Sequence, residues 1–290
     1  MTPHPTATRA IAVMLLAMFL FACMDATNKY LSLTYAITQI LWVRYLFFVA
    51  FALFVARRRM RLALALRSRA FWLQTARSIL LIGEIGTFIL ALNYLPLADV
   101  HALAAITPLL VTALSVPILG ERVGWRRWAA VAAGFAGVLI IVRPGFAEID
   151  WRILLPLLAA LLFALYQIML RVVARHDPPE TTLLYSAIVG AVVLSAIGPF
   201  HWTPPDAQGW ALLTLSGLLG ALAHFALIKA LELGEASKLQ PYGYTLMIWA
   251  AVLGWIAFGQ FPDAFTVTGG VIIALSGVYS FYRERARKAS

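Results

Sequence analysis

Charge is scarce in this sequence, and cysteine is almost absent. Only 12% of the 290 residues are charged, and Cys23 is the single cysteine. One cysteine excludes an internal disulfide and a cysteine-based metal site. Hydrophobic residues make up 62% of the chain and the mean hydropathy is +0.85, whereas soluble proteins carry roughly 25% charged residues. The composition therefore predicts an integral membrane protein.

The sequence motifs of several enzyme classes are missing as well. There is no Gly-x-x-x-x-Gly-Lys-Ser/Thr phosphate loop, no His-Glu-x-x-His, no Gly-x-Ser-x-Gly and no aspartate cluster with metal-ligand spacing. A selective channel is not indicated either, because the chain has no repeated filter segment and no ring of like charge. We therefore expect no catalytic residues, no cofactor and no bound metal.

Long apolar runs fill most of the chain. A membrane-spanning helix needs about 20 apolar residues to cross a hydrocarbon core of about 30 Å, so ten of them would take about 200 residues. The remainder has no room for a soluble catalytic or nucleic-acid-binding domain, and we expect no nucleic acid partner. The predicted helices are 9–29, 36–56, 70–94, 98–119, 126–143, 152–174, 181–199, 209–232, 237–258 and 264–282.

Lys and Arg are distributed unequally between the two sides of these helices. With the N-terminus in the cytoplasm, 18 of the 23 would face the cytoplasm and 2 would lie in the membrane. The remaining 3, Lys29, Arg143 and Arg152, would face outward. Cytoplasmic connections of membrane proteins carry the excess of Lys and Arg. This asymmetry predicts that both termini are cytoplasmic and that the net charge of +10 reflects topology.

The two halves of the chain share a weak outline. Residues 91–121 and 230–260 both begin with Ala-Leu, pass through a short polar joint and end on Gly followed by Glu or Gln. An odd number of spans in each half would turn the second half upside down. Inverted repeats around a site at the membrane midplane are a recurrent design of secondary transporters. We therefore predict an all-α integral membrane fold of ten helices in a five-plus-five inverted repeat.

One run of motifs resembles a known family. The segments 120–123 (GERV), 125–128 (WRRW) and 134–138 (GFAGV) are similar to the EamA module of the drug/metabolite transporter superfamily. The resemblance covers the whole chain and implies two modules, residues 1–145 and 146–290, with substrate moving through a central cavity by alternating access.

Members of this superfamily move amino acids, nucleotide-related metabolites, vitamins or drugs, and the YddG-type branch exports aromatic amino acids. Gln260 stands where second modules often have an acidic residue, so a transport role for the Gly-Glu corner is not implied.

Polar side chains within the hydrocarbon are costly, and each is a candidate for function. Arg44 and Glu84 lie at similar predicted depths. They form either a structural ion pair or a site for the charged ends of a substrate or for a coupling proton. Arg77 is predicted to extend toward the interface. Asp25 and Asn28 share one face of the first helix, where Asp25 either pairs with Lys29 one turn on or meets a substrate ammonium group.

The fourth and ninth predicted helices carry matching polar positions. His101 precedes Pro108, whose kink would either serve a cavity or merely pack, and Gln240 is the counterpart of His101. Tyr244 follows Gln240 on the same face. His224 in the eighth helix makes either an interhelical hydrogen bond or a substrate contact.

The sixth predicted helix places Tyr166 and Gln167 near its middle. Aromatic and amide side chains away from the interfaces suit a planar or amphipathic organic solute, although they could instead face lipid. The candidate substrate-binding residues are therefore His101, Gln240, Tyr244, His224, Tyr166, Gln167, Asn28, Asp25, Glu84 and Arg44.

The prediction is a secondary transporter of the bacterial-type inner membrane that exports small amphipathic metabolites, with aromatic amino acids first. Its partners would be the lipid bilayer and the substrate, and it would be a monomer or a homodimer. Three alternatives stay open: transport of another metabolite or drug class, a membrane enzyme, or a non-transporting scaffold on the same fold.

Overall fold

The computed structural model describes residues 5–59, 61–121, 123–143, 150–233 and 236–289. All regular elements in these ranges are helical. Besides two short 3₁₀ turns at Trp151–Ile153 and Gly198–His201, the α-helices are α1 (Pro5–Ser32), α2 (Ile37–Arg59), α3 (Leu62–Ala65), α4 (Phe71–Tyr94), α5 (Leu97–Ala104), α6 (Thr107–Leu119), α7 (Trp125–Val142), α8 (Leu154–Val173), α9 (Pro179–Ile197), α10 (Ala207–Leu233), α11 (Ala236–Gly243), α12 (Thr245–Phe258) and α13 (Ala264–Ala289).

These helices form ten spans that are long and apolar enough to cross a membrane. The fourth span consists of α5 and α6, the ninth of α11 and α12, and α3 lies in the connection after α2. The predicted membrane protein of ten spanning helices is confirmed. Hydropathy located the spans because spanning helices must satisfy their backbone internally and face lipid with apolar side chains.

The fourth span is broken where a proline kink was expected. Helix α5 ends at Ala104, and α6 begins at Thr107 with Pro108 in its first turn. A proline in the first turn removes a donor that has no intrahelical acceptor in any case. The ninth span breaks at Tyr244, between α11 and α12. In both halves the span is therefore divided into two helices and does not form one continuous bent helix.

Both spans end in the same local structure. Gly120 has φ +69° and Gly259 has φ +65°, a left-handed conformation that only glycine adopts without strain. The next residue then folds back, with Glu121 N donating to Ser115 O at 3.3 Å and Gln260 N donating to Gly254 O at 3.1 Å. The Gly in both copies of the sequence outline is therefore explained by the same helix cap.

Helix packing is reciprocal between the two halves. Helix α1 packs along α10 as α8 packs along α4, and α2 contacts α10 as α9 contacts α4. Helix α6 contacts α8 as α12 contacts α1, while α2 pairs with α9 and α7 with α13. Exchange of the first five spans with the last five leaves this pattern unchanged. An inverted repeat would produce such reciprocity; the module boundary at residue 145 stays a prediction.

The turn between α8 and α9 is tied to the start of α4 by one carboxylate. Asp177 is buried and accepts hydrogen bonds from Ser68 Oγ, from Arg69 N at 2.8 Å and from Gln74 Nε2 at 3.0 Å. Burial alone would raise the pKa of Asp177, but these hydrogen bonds outweigh burial and hold its pKa below the ordinary value. The ionised carboxylate thus fastens the sixth and seventh spans to the third.

We predict that Asp177→Asn lowers the stability of the detergent-purified protein at neutral pH. Because the native pKa is depressed, the carboxylate stabilises the fold above the unfolded-state pKa of about 3.9, and this contribution is lost as pH falls through the native pKa. The difference in apparent melting temperature between wild type and variant should stay constant down to about pH 4 and narrow below it.

The control for this experiment is Asp150→Asn, because the Asp150 side chain is exposed. We expect it to change the melting temperature little at any pH. A stability difference for Asp177→Asn that persists undiminished at the lowest pH would show that the carboxylate charge is not responsible.

Candidate functional site

A cavity of about 590 Å³ lies among five spans, α2, α4, α8, α9 and α10. It extends to the turn between α8 and α9, where Ala174, Asp177 and Pro179 line it. Aromatic side chains form much of its wall: Tyr45, Phe48, Phe51, Phe163 and Tyr166. Its volume lies within the roughly 300–1,000 Å³ typical of small-molecule sites.

Arg44 lines this cavity on α2 and lies beside α10, since a Cβ on Gly220 would be 3.8 Å from Arg44 Nε. The expected ion pair with Glu84 is not formed: among the described residues, Arg44 and Glu84 make no salt bridge within 4.0 Å. The Glu84 carboxylate interacts electrostatically with both Arg44 and Asp25. Arg44 is therefore available to the cavity, whereas Glu84 lies outside its lining.

Arg77 lines the cavity, and the prediction that it extends toward the membrane interface is wrong. Instead of extending to the interface, its side chain is completely buried. Its Nη2 donates to Gln74 Oε1 at 3.1 Å, to Thr182 O at 2.9 Å and to Ser186 Oγ at 2.7 Å. The guanidinium lies against Tyr166, with Cζ 5.1 Å from the ring centroid. Two acceptors on α9 and one on α4 thus hold Arg77 in the cavity wall.

Tyr166 and its neighbour on α8 present a stacked aromatic surface. The rings of Phe163 and Tyr166 are nearly parallel, with centroids 5.7 Å apart and an interplanar angle of 7°. Both line the cavity. Gln167 is not among the lining residues. Of the two candidates in the middle of this span, the structure brings only Tyr166 to the cavity.

His224 lines the cavity from α10, but its hydrogen bond is local. Its Nδ1 donates to Gly220 O at 2.8 Å, one turn earlier in the same helix, so no interhelical hydrogen bond from this nitrogen is formed. A neutral ring with a proton on Nδ1 leaves Nε2 as an acceptor. Edge contact with Phe21, at 4.9 Å between centroids, holds the ring in place.

His101 and Asp25 form a second buried cluster, apart from the cavity. His101 Nε2 lies 3.3 Å from Asp25 Oδ2, and both side chains are at most 10% exposed. Phe88 contacts the imidazole with its centroid 5.2 Å away. The expectation that Asp25 pairs with Lys29 is wrong, because the histidine of α5 is its partner. The pair connects the first span with the fourth.

Lys29 has main-chain partners instead. Its Nζ donates to Leu92 O at 2.5 Å and to Leu95 O at 2.6 Å. These carbonyls belong to the last turn of α4 and the residue after it, where a helix leaves acceptors unsatisfied and its dipole attracts a cation. Lys29 therefore closes α1 onto the end of α4.

Asn28 and Tyr244 also lie outside the cavity lining. Asn28 Oδ1 accepts from Ser216 Oγ at 2.6 Å, which joins α1 to α10. Tyr244 lies at the break of the ninth span, and its phenol occupies the space beside Gly277. The side chain of Gln240 lies outside the described residues, so its predicted role stays a prediction. No cluster of three His, Cys, Asp or Glu suited to a metal occurs among the described side chains.

Phe48, Phe51 and Phe163 line the cavity but were not among the predicted site residues, although a periodic signal marked them. Phe48 and Phe51 follow the predicted Arg44 at spacings of four and three, so all three share one face of α2. Phe163 and Tyr166 do the same on α8. A helix face that carries both aromatic residues and an arginine within the membrane is the sequence pattern that would have identified this cavity wall.

Comparison with known proteins adds the family. A family model described as the EamA-like transporter family matches residues 8–143 and again residues 150–282. The chain is 27% identical over 289 residues to the S-adenosylmethionine uptake transporter of Rickettsia prowazekii, with 98% of this chain and 96% of that protein covered. It is 31% identical over 274 residues to the riboflavin transporter of Vibrio cholerae, with coverages of 91% and 89%.

A solved structure supports the same fold. A crystal structure superposes on 96% of this chain and 99% of its own with a TM-score of 0.64, at 17% sequence identity. At that identity the likeness concerns the fold alone.

We predict that the Asp25–His101 pair contributes to stability as a unit. Asp25→Asn and His101→Gln should each lower the apparent melting temperature in detergent, because each leaves a buried polar partner with a poorer contact. The double variant should lose less than the sum of the two, with a coupling of about 0.5–3 kcal/mol.

The same cycle on the exposed pair of Glu121 and Arg171, 3.5 Å apart, serves as its control. Surface pairs contribute about 0–1 kcal/mol, so additive losses are expected there. Additive losses at Asp25 and His101 as well would mean that the two side chains do not interact energetically.

Proposed function

Because the chain belongs to the EamA-like transporter family of the drug/metabolite transporter superfamily, we propose that it moves a small amphipathic organic metabolite through the cavity between α2, α4, α8, α9 and α10. The observation that carries the proposal is the cavity itself, about 590 Å³ with five aromatic side chains in its wall. Aromatic walls with a few polar groups select planar organic solutes rather than inorganic ions.

Alternating access is the proposed mode of transport. The cavity reaches the turn between α8 and α9 at one end, whereas the other end of α4 is closed by the hydrogen bonds of Lys29. There Gln39 also exchanges two hydrogen bonds with Thr203, at 2.8 and 2.9 Å. Reciprocal packing of the two halves supports a second state in which the closed and open ends are exchanged.

Aromatic amino acids remain the first specific substrates we propose, because the cavity combines aromatic rings with the charged side chains of Arg44 and Arg77. Export remains the proposed direction of transport. S-Adenosylmethionine and riboflavin form the second candidate class, since two relatives are named for them. All of these molecules contain a planar ring system.

We predict that liposomes containing the purified protein accumulate at least one of radiolabelled tryptophan, S-adenosylmethionine and riboflavin above protein-free liposomes. A tracer placed inside or outside the vesicles measures efflux and uptake separately, with and without an imposed proton gradient. Movement of none of the three in either direction, together with no binding of any of them in detergent, would exclude the proposed substrates.

We also propose that the protein lies in a bacterial-type inner membrane with both termini in the cytoplasm, and that the cavity of this conformation opens to the cytoplasm. In a Cys23→Ala background, cysteine at exposed Arg67 in intact cells should react only with membrane-permeant maleimides. Cysteine at exposed Thr34, in the connection between α1 and α2, should react with impermeant reagents too. The reverse pattern would invert the proposed orientation.

A further inference from the structure

Arg77 is a buried cation with no anionic partner among the described residues. Its side chain has no exposed surface, and all three acceptors of its Nη2 are uncharged: an amide, a carbonyl and a hydroxyl. Its electrostatic neighbours are the phenols of Tyr166 and Tyr45. A buried charge without a counter-charge is costly, and buried charges in proteins are normally paired.

The nearest acid in this network is already committed. Asp177 connects to Arg77 only through Gln74, which donates to Asp177 Oδ2 at 3.0 Å and accepts from Arg77 Nη2. The other hydrogen bonds of Asp177 come from Ser68 and from Arg69 N. Glu84 is on the same helix but two turns away, roughly 10 Å along the axis. Neither carboxylate neutralises the guanidinium.

Two donors of this guanidinium are left over. Arg77 Nε and Nη1 are buried and have no acceptor of normal hydrogen-bond geometry among the described residues, although the guanidinium also interacts with the Tyr166 hydroxyl. The Tyr45 hydroxyl in the same cavity wall is also buried without such a partner. Buried donors in native proteins nearly always have partners, and a ligand in the cavity would supply acceptors for these groups. Nη2, in contrast, is fixed by α9, so the guanidinium is held in one orientation.

A second guanidinium faces the same space. Arg44 lines the cavity from α2, and the Tyr45 side chain interacts electrostatically with both arginines. Tyr166 lines the cavity and lies against Arg77, and its ring is stacked with Phe163. Because Arg77 is completely buried, access of a substrate to Nε and Nη1 would require a neighbouring side chain to move.

From these observations we propose that Arg77 binds a carboxylate group of the substrate, with Arg44 as the second positive charge and the aromatic wall around Phe163 and Tyr166 in contact with its planar ring. This inference rests on the proposed transport function and narrows its substrate to an aromatic or heteroaromatic carboxylate. Arginine suits this role because it remains charged when buried and its planar donors match a carboxylate.

The test compares ligands that differ in the carboxylate only. Binding of tryptophan against tryptamine, and of S-adenosylmethionine against its decarboxylated form, is measured on the detergent-purified protein by calorimetry. In the wild type we expect the carboxylate-bearing member to bind roughly 10- to 100-fold more tightly in at least one pair. In Arg77→Gln this ratio should fall to about one, mainly through weaker binding of the carboxylate-bearing member.

Arg171→Gln is the matched control, because Arg171 is exposed and lies outside the cavity. The affinity ratio of this variant should equal that of the wild type.

If Arg77→Gln does not fold, Arg77→Lys replaces it, and we expect a reduced affinity ratio that stays above one. An unchanged ratio in a folded Arg77 variant would overturn the inference, as would a wild-type ratio of one in both pairs. Liposome transport that persists in those cases would leave the proposed function standing, whereas absence of both binding and transport refutes that function itself.

Discussion

The cost of placing a polar group in hydrocarbon governs where this chain keeps its few charged side chains. A buried donor or ion in a membrane has no water to compensate it, so the protein must supply the partner. At one end of the bundle it does. Lys29 reaches two carbonyls at the end of α4, and Asp25 reaches His101. These contacts draw the first, third and fourth spans together.

Around the cavity this cost is not fully met. Arg44 and Arg77 line a space walled by aromatic rings, and Nε and Nη1 of Arg77 have no acceptor of normal hydrogen-bond geometry among the described residues. Asp177 fastens the neighbouring turn without neutralising either arginine. A region built only for packing would have paired these charges or replaced them by apolar side chains, which is often at least as stable. The contrast between the paired charges of Asp25 and His101 and the unpaired charge of Arg77 supports the proposed ligand site at the cavity.

The sequence was sufficient for the spans and for the local ends of the helices. Apolar length predicted ten crossings, and the Gly120 and Gly259 outline marked the two left-handed caps. It was insufficient for the partners of the buried side chains. Lys29 binds main-chain carbonyls 63 and 66 residues away, and every residue has such a carbonyl, so no pattern in the sequence distinguishes these two. Lys29 was predicted as the partner of Asp25 because spacing within one helix can be read directly from the sequence. The contact between Asp25 and His101 depends instead on how α1 packs against α5.

The reciprocal packing of the two halves also bears on the difference between the closed and the open end of the bundle. Lys29 is the basic residue in the last turn of the first span and Arg171 is that of the sixth span, the first of the second half, but the two are in different surroundings. Lys29 is buried against α4, whereas the Arg171 side chain is 47% exposed beside Glu121. If both halves can adopt both arrangements, as the proposed alternating access requires, burial of Lys29 and exposure of Arg171 are two signs of one state. The closed end is then stabilised by the hydrogen bonds from Lys29 to the carbonyls at the end of α4. The open end is the one at which cationic side chains still lack an anionic partner among the described residues.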